Sequence, residues 1–482
     1  MGKARLKSIV LVGLILCSIV LTCRIWFSEK LWPDGYNFFA NIQFSFGKGE
    51  LQSTLTKETL SDPSRIVVTN IEKRSVYTPD TGETTQLLQT VKDVLKLALT
   101  TSGTTSATEE EWKGALRSKS IHVTYPVAYD GRLFANMMGV PQETVGLKAV
   151  QEFVIFAGDI VSSNVSVYSR DAVSGEVVKI AVRYDKAALA AMIEQMAVHS
   201  IGTLSYSFEL HFDDHMQDPE VQQPDSNTMV SQNVYLESDV LVMLNRNTGR
   251  MMKEINLLYD NDYNQGMVEE ILRCFGYNSS SSRKYKESDN SIVYVENYGT
   301  MKIHPNGLVE YKAVDLEKGI PLDDASSGTS YDSILACVDF VNSLWNSVYP
   351  GQKLNVNISS NVVDIRDKDF TLAMDYYADG TVVSVELPQT NSHETLEHAV
   401  EIQISNNRIV SYRQLMTFFE PTEETIKIGS AIDALDVLFA DSQLNGNSIS
   451  DLYLTYVMSG STLWRPTWAA KVDGEIVKVA VP

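Results

Sequence analysis

Three stretches of the sequence carry residue types at spacings that could bind a metal or move a proton. His211-Phe-Asp-Asp-His215 sets two imidazoles four residues apart, with Asp213, Asp214 and Asp218 close by. On a helix that interval would place both rings on one face as zinc ligands. The stretch 204–212 alternates like a strand, however, and Pro219 follows, so the pattern reads as a solvated acidic strand end. His393 and His398 flank two glutamates like a zinc-protease helix, but they are five residues apart. Five residues turn a helix through about 500°, well off one face. Following the turn-like run 388–392, they read as a solvated lead-in to the next strand. Asp260-Asn-Asp-Tyr-Asn-Gln-Gly266 resembles a calcium loop whose glycine is one place late, with Ile271 where a bidentate glutamate belongs. A helix N-terminus with acidic residues against its dipole explains the same residues.

Other chemistry lacks a motif. The sequence has no Gly-x-Ser-x-Gly, phosphate loop or Gly-x-Gly-x-x-Gly. Serine and lysine are plentiful, so a Ser/Lys dyad stays open with no motif to support it. Of the four cysteines, Cys17 and Cys23 lie in an apolar N-terminal stretch, and Cys274 and Cys337 lie far apart in the body. The latter two read as separate buried thiols, with a single bridge as the alternative. Trp464 and Trp468, four apart around Arg465 and Pro466, read as packing on one strand face into a core, the alternative being an exposed anchor for a partner. No enzymatic activity, cofactor or metal is expected.

The elements that must position these residues begin with a membrane span. After Lys3, Arg5 and Lys7, residues 8–28 are largely apolar with Arg24 as the only charge, long enough to cross a hydrocarbon layer of about 30 Å. Arg24, Trp26 and Phe27 fit the far interface, and the leading cations favour a cytoplasmic N-terminus at 1–7. Residues 21–27 make a poor small-x-small cleavage site, which favours an anchor over a removed signal peptide. Gly13 with Cys17, and Ser18 with Thr22, give two small-residue faces on which helices approach closely in a bilayer; the alternative is an anchor facing only lipid. The net charge of −21 over 482 residues, with 44% hydrophobic residues, describes an acidic globular body unsuited to nucleic acid.

That body reads as α+β: antiparallel sheets with packed helices. Polar breaks at 218–233 and 316–331 suggest domains at 29–235, 236–328 and 329–482. Strands are expected at 65–70 and 150–158, a hairpin over 161–185, and helices over 83–99 and 186–198. Beyond 235 a weak repeat sets a helix (266–276, 331–346, 428–440) before strands joined by Asn306-Gly307, Asp379-Gly380 and Asp473-Gly474 turns.

The basic start, aliphatic span and Ile-Trp-Phe exit resemble the YycH regulatory family of Gram-positive bacteria. Residues 65–70 before a long helix, and 121–139 with its Tyr-Pro entering a short helix, are similar to that family's outer domain. Residues 452–469 followed by 472–479 resemble the closing hairpin of YycH, its relative YycI and PepSY-like modules, with Tyr456, Leu463, Pro466, Trp468 and Gly474 as the matching positions. The stretch 230–300 departs most from the family pattern. The resemblance implies a single-pass cell-membrane protein, its bulk extracytoplasmic, that regulates a cell-wall-sensing two-component histidine kinase together with a YycI-like protein, through transmembrane helix contact. The alternatives are a PepSY-like module that holds or inhibits a cell-wall hydrolase or protease, and a hydrolase on a tether.

Overall fold

A computed structural model describes residues 53–71, 73–78, 84–140, 146–158, 164–200, 204–210, 234–237, 239–243, 247–322, 329–359, 369–385, 396–459 and 462–479. The expected span, and with it Gly13, Cys17, Ser18, Thr22, Arg24, Trp26 and Phe27, lies outside them. Among the described residues no helix is long and apolar enough to cross a membrane.

Alternation along β1 (Arg65–Asn70) organises the first sheet. Ile66 and Val68 enter one core and Val67 another, all three fully buried. Eight antiparallel strands share this sheet: β1, β2 (Lys73–Tyr77), β3 (Thr105–Ala107), β4 (Ser120–Asp130), β5 (Ala149–Phe156), β6 (Val165–Asp171), β7 (Val177–Val182) and β8 (His199–Ser200), in the order β3-β7-β6-β5-β4-β1-β2-β8. Helices α1 (Thr85–Thr100) and α4 (Lys186–Met196) contribute to the core on one face. On the other lies α2 (Glu109–Arg117), begun by a reciprocal Thr108–Glu111 capping box with three glutamates in its first turn. Helix α3 (Gly131–Met137) follows β4 directly because Asp130 caps it, accepting from the Arg132 and Leu133 amides. The strand, hairpin and helices expected over this region are all present, with ends shifted by a few residues.

A short bridge region follows: β9 (Leu204–Tyr206), β10 (Tyr235–Leu236) and β11 (Leu241–Met243). It leads into β12 (Asn247–Ile255) and a minute hairpin of β13 (Tyr259–Asp260) and β14 (Asp262–Tyr263). The second sheet has sixteen strands. Helix α5 (Gln265–Cys274) precedes β15 (Arg283–Lys286), β16 (Ile292–Val295), β17 (Gly299–Ile303), β18 (Leu308–Ala313) and β19 (Ile320–Pro321). Helix α6 (Ser330–Val348) precedes β20 (Val356–Ile358), β21 (Phe370–Ala378), β22 (Thr381–Val383), β23 (Val400–Ser405), β24 (Arg408–Leu415) and β25 (Phe418–Ile428). Helix α7 (Ala431–Ala440) precedes β26 (Ser448–Met458), β27 (Leu463–Val472) and β28 (Glu475–Val479). The expected helix-then-meander repeat is therefore real. The path β15-β16-β17-β18-β24-β23-β21-β22-β26-β27-β12-β25, with β10, β19, β20 and β28 paired beside it, joins the strands of all three units. Strands on both sides of residue 328 thus lie in one sheet, and Tyr235 begins β10, the first strand of that sheet in chain order.

Asp379 and Gly380, and Asp473 and Gly474, all have positive φ, the two-residue turns their sequences promise. Asn406-Asn407 makes the same kind of turn between β23 and β24 without a glycine to announce it. Cys274 in α5 and Cys337 in α6 are buried and free in a core shared by both sheets, to which Ile66 and Tyr376 also belong.

Candidate functional site: an ionic seam and the closing hairpin

The residues of the closing hairpin lie together. Tyr456 on β26 faces Pro466 on β27, Leu463 pairs with Lys253 of β12, and Gly474 (φ 92°) turns the chain into β28. Trp464 and Trp468 are both buried, as expected, but they enter two cores rather than one. Trp464 joins the large core and donates to Glu254 Oε2 at 2.9 Å; Trp468 joins a smaller core with α7 and donates to the Gly429 carbonyl at 2.8 Å.

Beside this hairpin the two sheets meet over charged residues. Arg65, Thr124, Glu152 and Arg170 form a cross-strand row over β1, β4, β5 and β6. Arg65 Nη1 reaches Asp451 of β26 at 3.3 Å. Arg170 pairs with Asp239, in the link between β10 and β11, and with Glu109 of α2 at 3.0 Å. Its guanidinium lies 4.7 Å from the centre of the Trp112 ring, whose Nε1 also donates to Asp239 at 3.3 Å. One row on, His122 is buried with Nδ1 2.9 Å from the Tyr206 hydroxyl and Nε2 3.9 Å from Glu152 Oε2. Arg74, fully buried, lies over the Tyr206 ring and holds Glu209 through two bonds, of 2.7 and 3.1 Å.

These neighbours set the charges. Burial alone would raise the Glu152 carboxyl, but His122, Arg170 and Arg65 outweigh it and hold it at about 2. Asp239 moves up instead, because burial and the Glu152 charge exceed the pull of Arg170 and His122. The link carrying Asp239 and the strand β11 that follows also join the cores: Val240 and Val242 enter the α7 core, while Leu241 enters the α2 core. The chemistry available here is the fixing of one sheet against the other through paired charges. Nothing in the sequence pointed to it, because its members lie up to 386 residues apart.

Two serine–histidine–carboxylate arrays also form. Ser291 and Glu310 contact opposite ring nitrogens of His304 at 3.0 and 2.7 Å, but Ser291 is completely buried, so no substrate could meet its hydroxyl. Ser359 and Asp375 both address Nδ1 of His398, at 3.2 and 3.1 Å. A triad needs the serine on the other nitrogen. His398, expected in a solvated lead-in, is thus half-buried and partnered. His211, Asp213, Asp214, His215, Asp218 and His393 lie outside the described residues. Strand β9 stops at Tyr206, where a 3₁₀ turn begins, sooner than the alternation over 204–212 predicts. Asp260 and Asp262 flank the left-handed Asn261 in the β13–β14 turn, and Asn264 caps α5; among the described residues no three His, Cys, Asp or Glu cluster as metal ligands would.

No known family profile matches the chain, and no curated protein is significantly similar to it. Among solved structures there are likenesses. The crystal structure of an uncharacterized protein from Eubacterium rectale gives a TM-score of only 0.34 at 14% identity, over 52% of this chain and 88% of that one. The crystal structure of YycH from Bacillus subtilis gives a TM-score of 0.55 at 11% identity, over 88% of this chain and 97% of that one. Across nearly the whole length of both chains, the fold described above is therefore YycH-like.

Proposed function

We propose that this chain is a membrane-anchored extracytoplasmic regulator of a cell-wall-sensing two-component histidine kinase, without catalysis of its own. The observation that carries the proposal is the whole-length likeness in fold to YycH. The N-terminal pattern of the sequence supports it. In this reading residues 8–28 form the anchor, Arg24, Trp26 and Phe27 sit at the outer interface, and Gly13/Cys17 or Ser18/Thr22 packs on a kinase helix beside a YycI-like protein. The anchor shifts signalling only by binding one kinase conformation better than the other.

Association with the kinase is measured in a bilayer two-hybrid assay on the full chain. Changing Gly13 and Cys17 to Leu, or Ser18 and Thr22 to Leu, is expected to lower the signal at least severalfold for one pair. Val12 falls about 80° or more around a helix from all four small residues, so changing it to Ile leaves the signal intact. A signal that survives both small-residue changes and is lost on disturbing the outer domains would favour the alternative, a PepSY-like module that holds a hydrolase or protease.

A further inference from the structure

A row of charges crosses the second sheet between two histidines. His304 of the β17–β18 loop meets Glu310 of β18 at 2.7 Å. Arg413 of β24 is shared between Glu310 at 3.3 Å and Glu401 of β23 at 2.9 Å. Glu401 in turn accepts the backbone amides of Glu397 and His398, at 3.0 and 3.2 Å. Asp375 of β21 accepts the Ala399 amide at 3.3 Å and the His398 ring Nδ1 at 3.1 Å. The lead-in to β23 is thus pinned by apolar Leu396 and Ala399, both buried, and by two carboxylates with a histidine between them.

We propose that His398 is a proton-operated clasp: protonated, it holds the lead-in Leu396–Ala399 against β21, and on losing its proton it loosens that hold. The groups facing it are Ser359 beyond β20, Asp375 on β21, Glu401 on β23 and Glu397 on its own segment, and Arg413 of β24 pairs with Glu401 from the far side. Protonated, the ring sits among three carboxylates. Neutral, it leaves them with Arg413 as the cation in contact, so mutual repulsion acts on the segment they hold. Geometry and titration agree in sign. Burial opposes the charged ring, but the bond to Asp375 and the charges of Asp375, Glu401 and Glu397 prevail, so its pKa lies above the ordinary 6.5. A raised value means that the hold is complete below 6.5 and lost as pH rises through the folded value. The inference is independent of any kinase, since it concerns only the order of one segment.

Amide exchange of the full-length protein, corrected for intrinsic rates, reads the clasp directly at the Glu397, His398 and Ala399 amides. Their protection is expected to fall at least threefold between about pH 6 and 9, while amides of β4 and β5 keep theirs. In His398→Gln the protection is low and level across the range. Level protection in the native protein, or the same slope in His398→Gln, would overturn the proposal. Should that variant fail to fold, Asp375→Asn must titrate the ¹³C-labelled His398 ring at lower pH than the native protein does; an unchanged titration would equally sink it.

Discussion

Glu152 is the residue on which the seam's electrostatics turn. Its carboxyl is held at about 2, so its contribution to stability is present above the unfolded value near 4.5 and is lost as pH falls toward 2. Glu152→Gln is expected to cost about 3 kcal/mol at neutral pH, as a shift of that size implies. In urea unfolding its deficit relative to the native protein should shrink progressively once the pH drops below about 4. A deficit independent of pH would mean that Glu152 acts through packing alone. Little of this was legible beforehand. Arg65 and Arg170 sit in stretches that read correctly as strands, yet nothing local says which acid each will meet. The cysteines were legible: two distant thiols in apolar helices without a disulfide framework became two buried free thiols, and burial raises that of Cys274 to about 11.

At the scale of elements, the period of the apolar pattern located the main helices and strands, because a helix or strand with one buried face writes that face into its sequence. Turns written with Asp-Gly were found, and the Asn406-Asn407 turn was missed because asparagine marks left-handed backbone less plainly than glycine. The fate of Trp464 and Trp468 was half legible. Their burial follows from their type, but the division between two cores depends on where β12 crosses, and β12 lies far upstream in the chain. At that crossing Gly249 admits the Pro466 ring, and a Cβ there would overlap the ring and lie 2.8 Å from Ile428 Cδ1. Gly249→Ala should therefore destabilise the protein by about 1–3 kcal/mol, the cost of overpacking a close contact. Thermal unfolding checks it, with Gly114→Ala as the comparison, a glycine of α2 with open space around it and no left-handed backbone.

For the molecule as a whole, the large core draws residues from both sheets. Composition breaks do not reveal whether the strands on either side rejoin. Bonds from Thr54 to the Leu354 and Val356 carbonyls and from Asn342 to the Leu55 carbonyl add to the Arg65–Asp451 pair in tying distant segments together. The described body is accordingly expected to melt in a single calorimetric transition whose van't Hoff and measured enthalpies agree. Two resolved transitions, one following near-UV signals from Trp112 and the other from Trp464, would show that the sheets are stabilised separately.

The position of β12 between β27 and β25 has a consequence for how the protein is made. A chain emerging from its N-terminus presents this strand with neither neighbour yet in existence, and its first partner arrives only when residue 418 has been synthesised. Until then a nine-residue ribbon of the sheet's interior has both sides open to any other unpaired strand nearby. Assembly must wait for the tail, and a nascent chain stalled short of it would be a natural target for holdase chaperones and quality-control proteases.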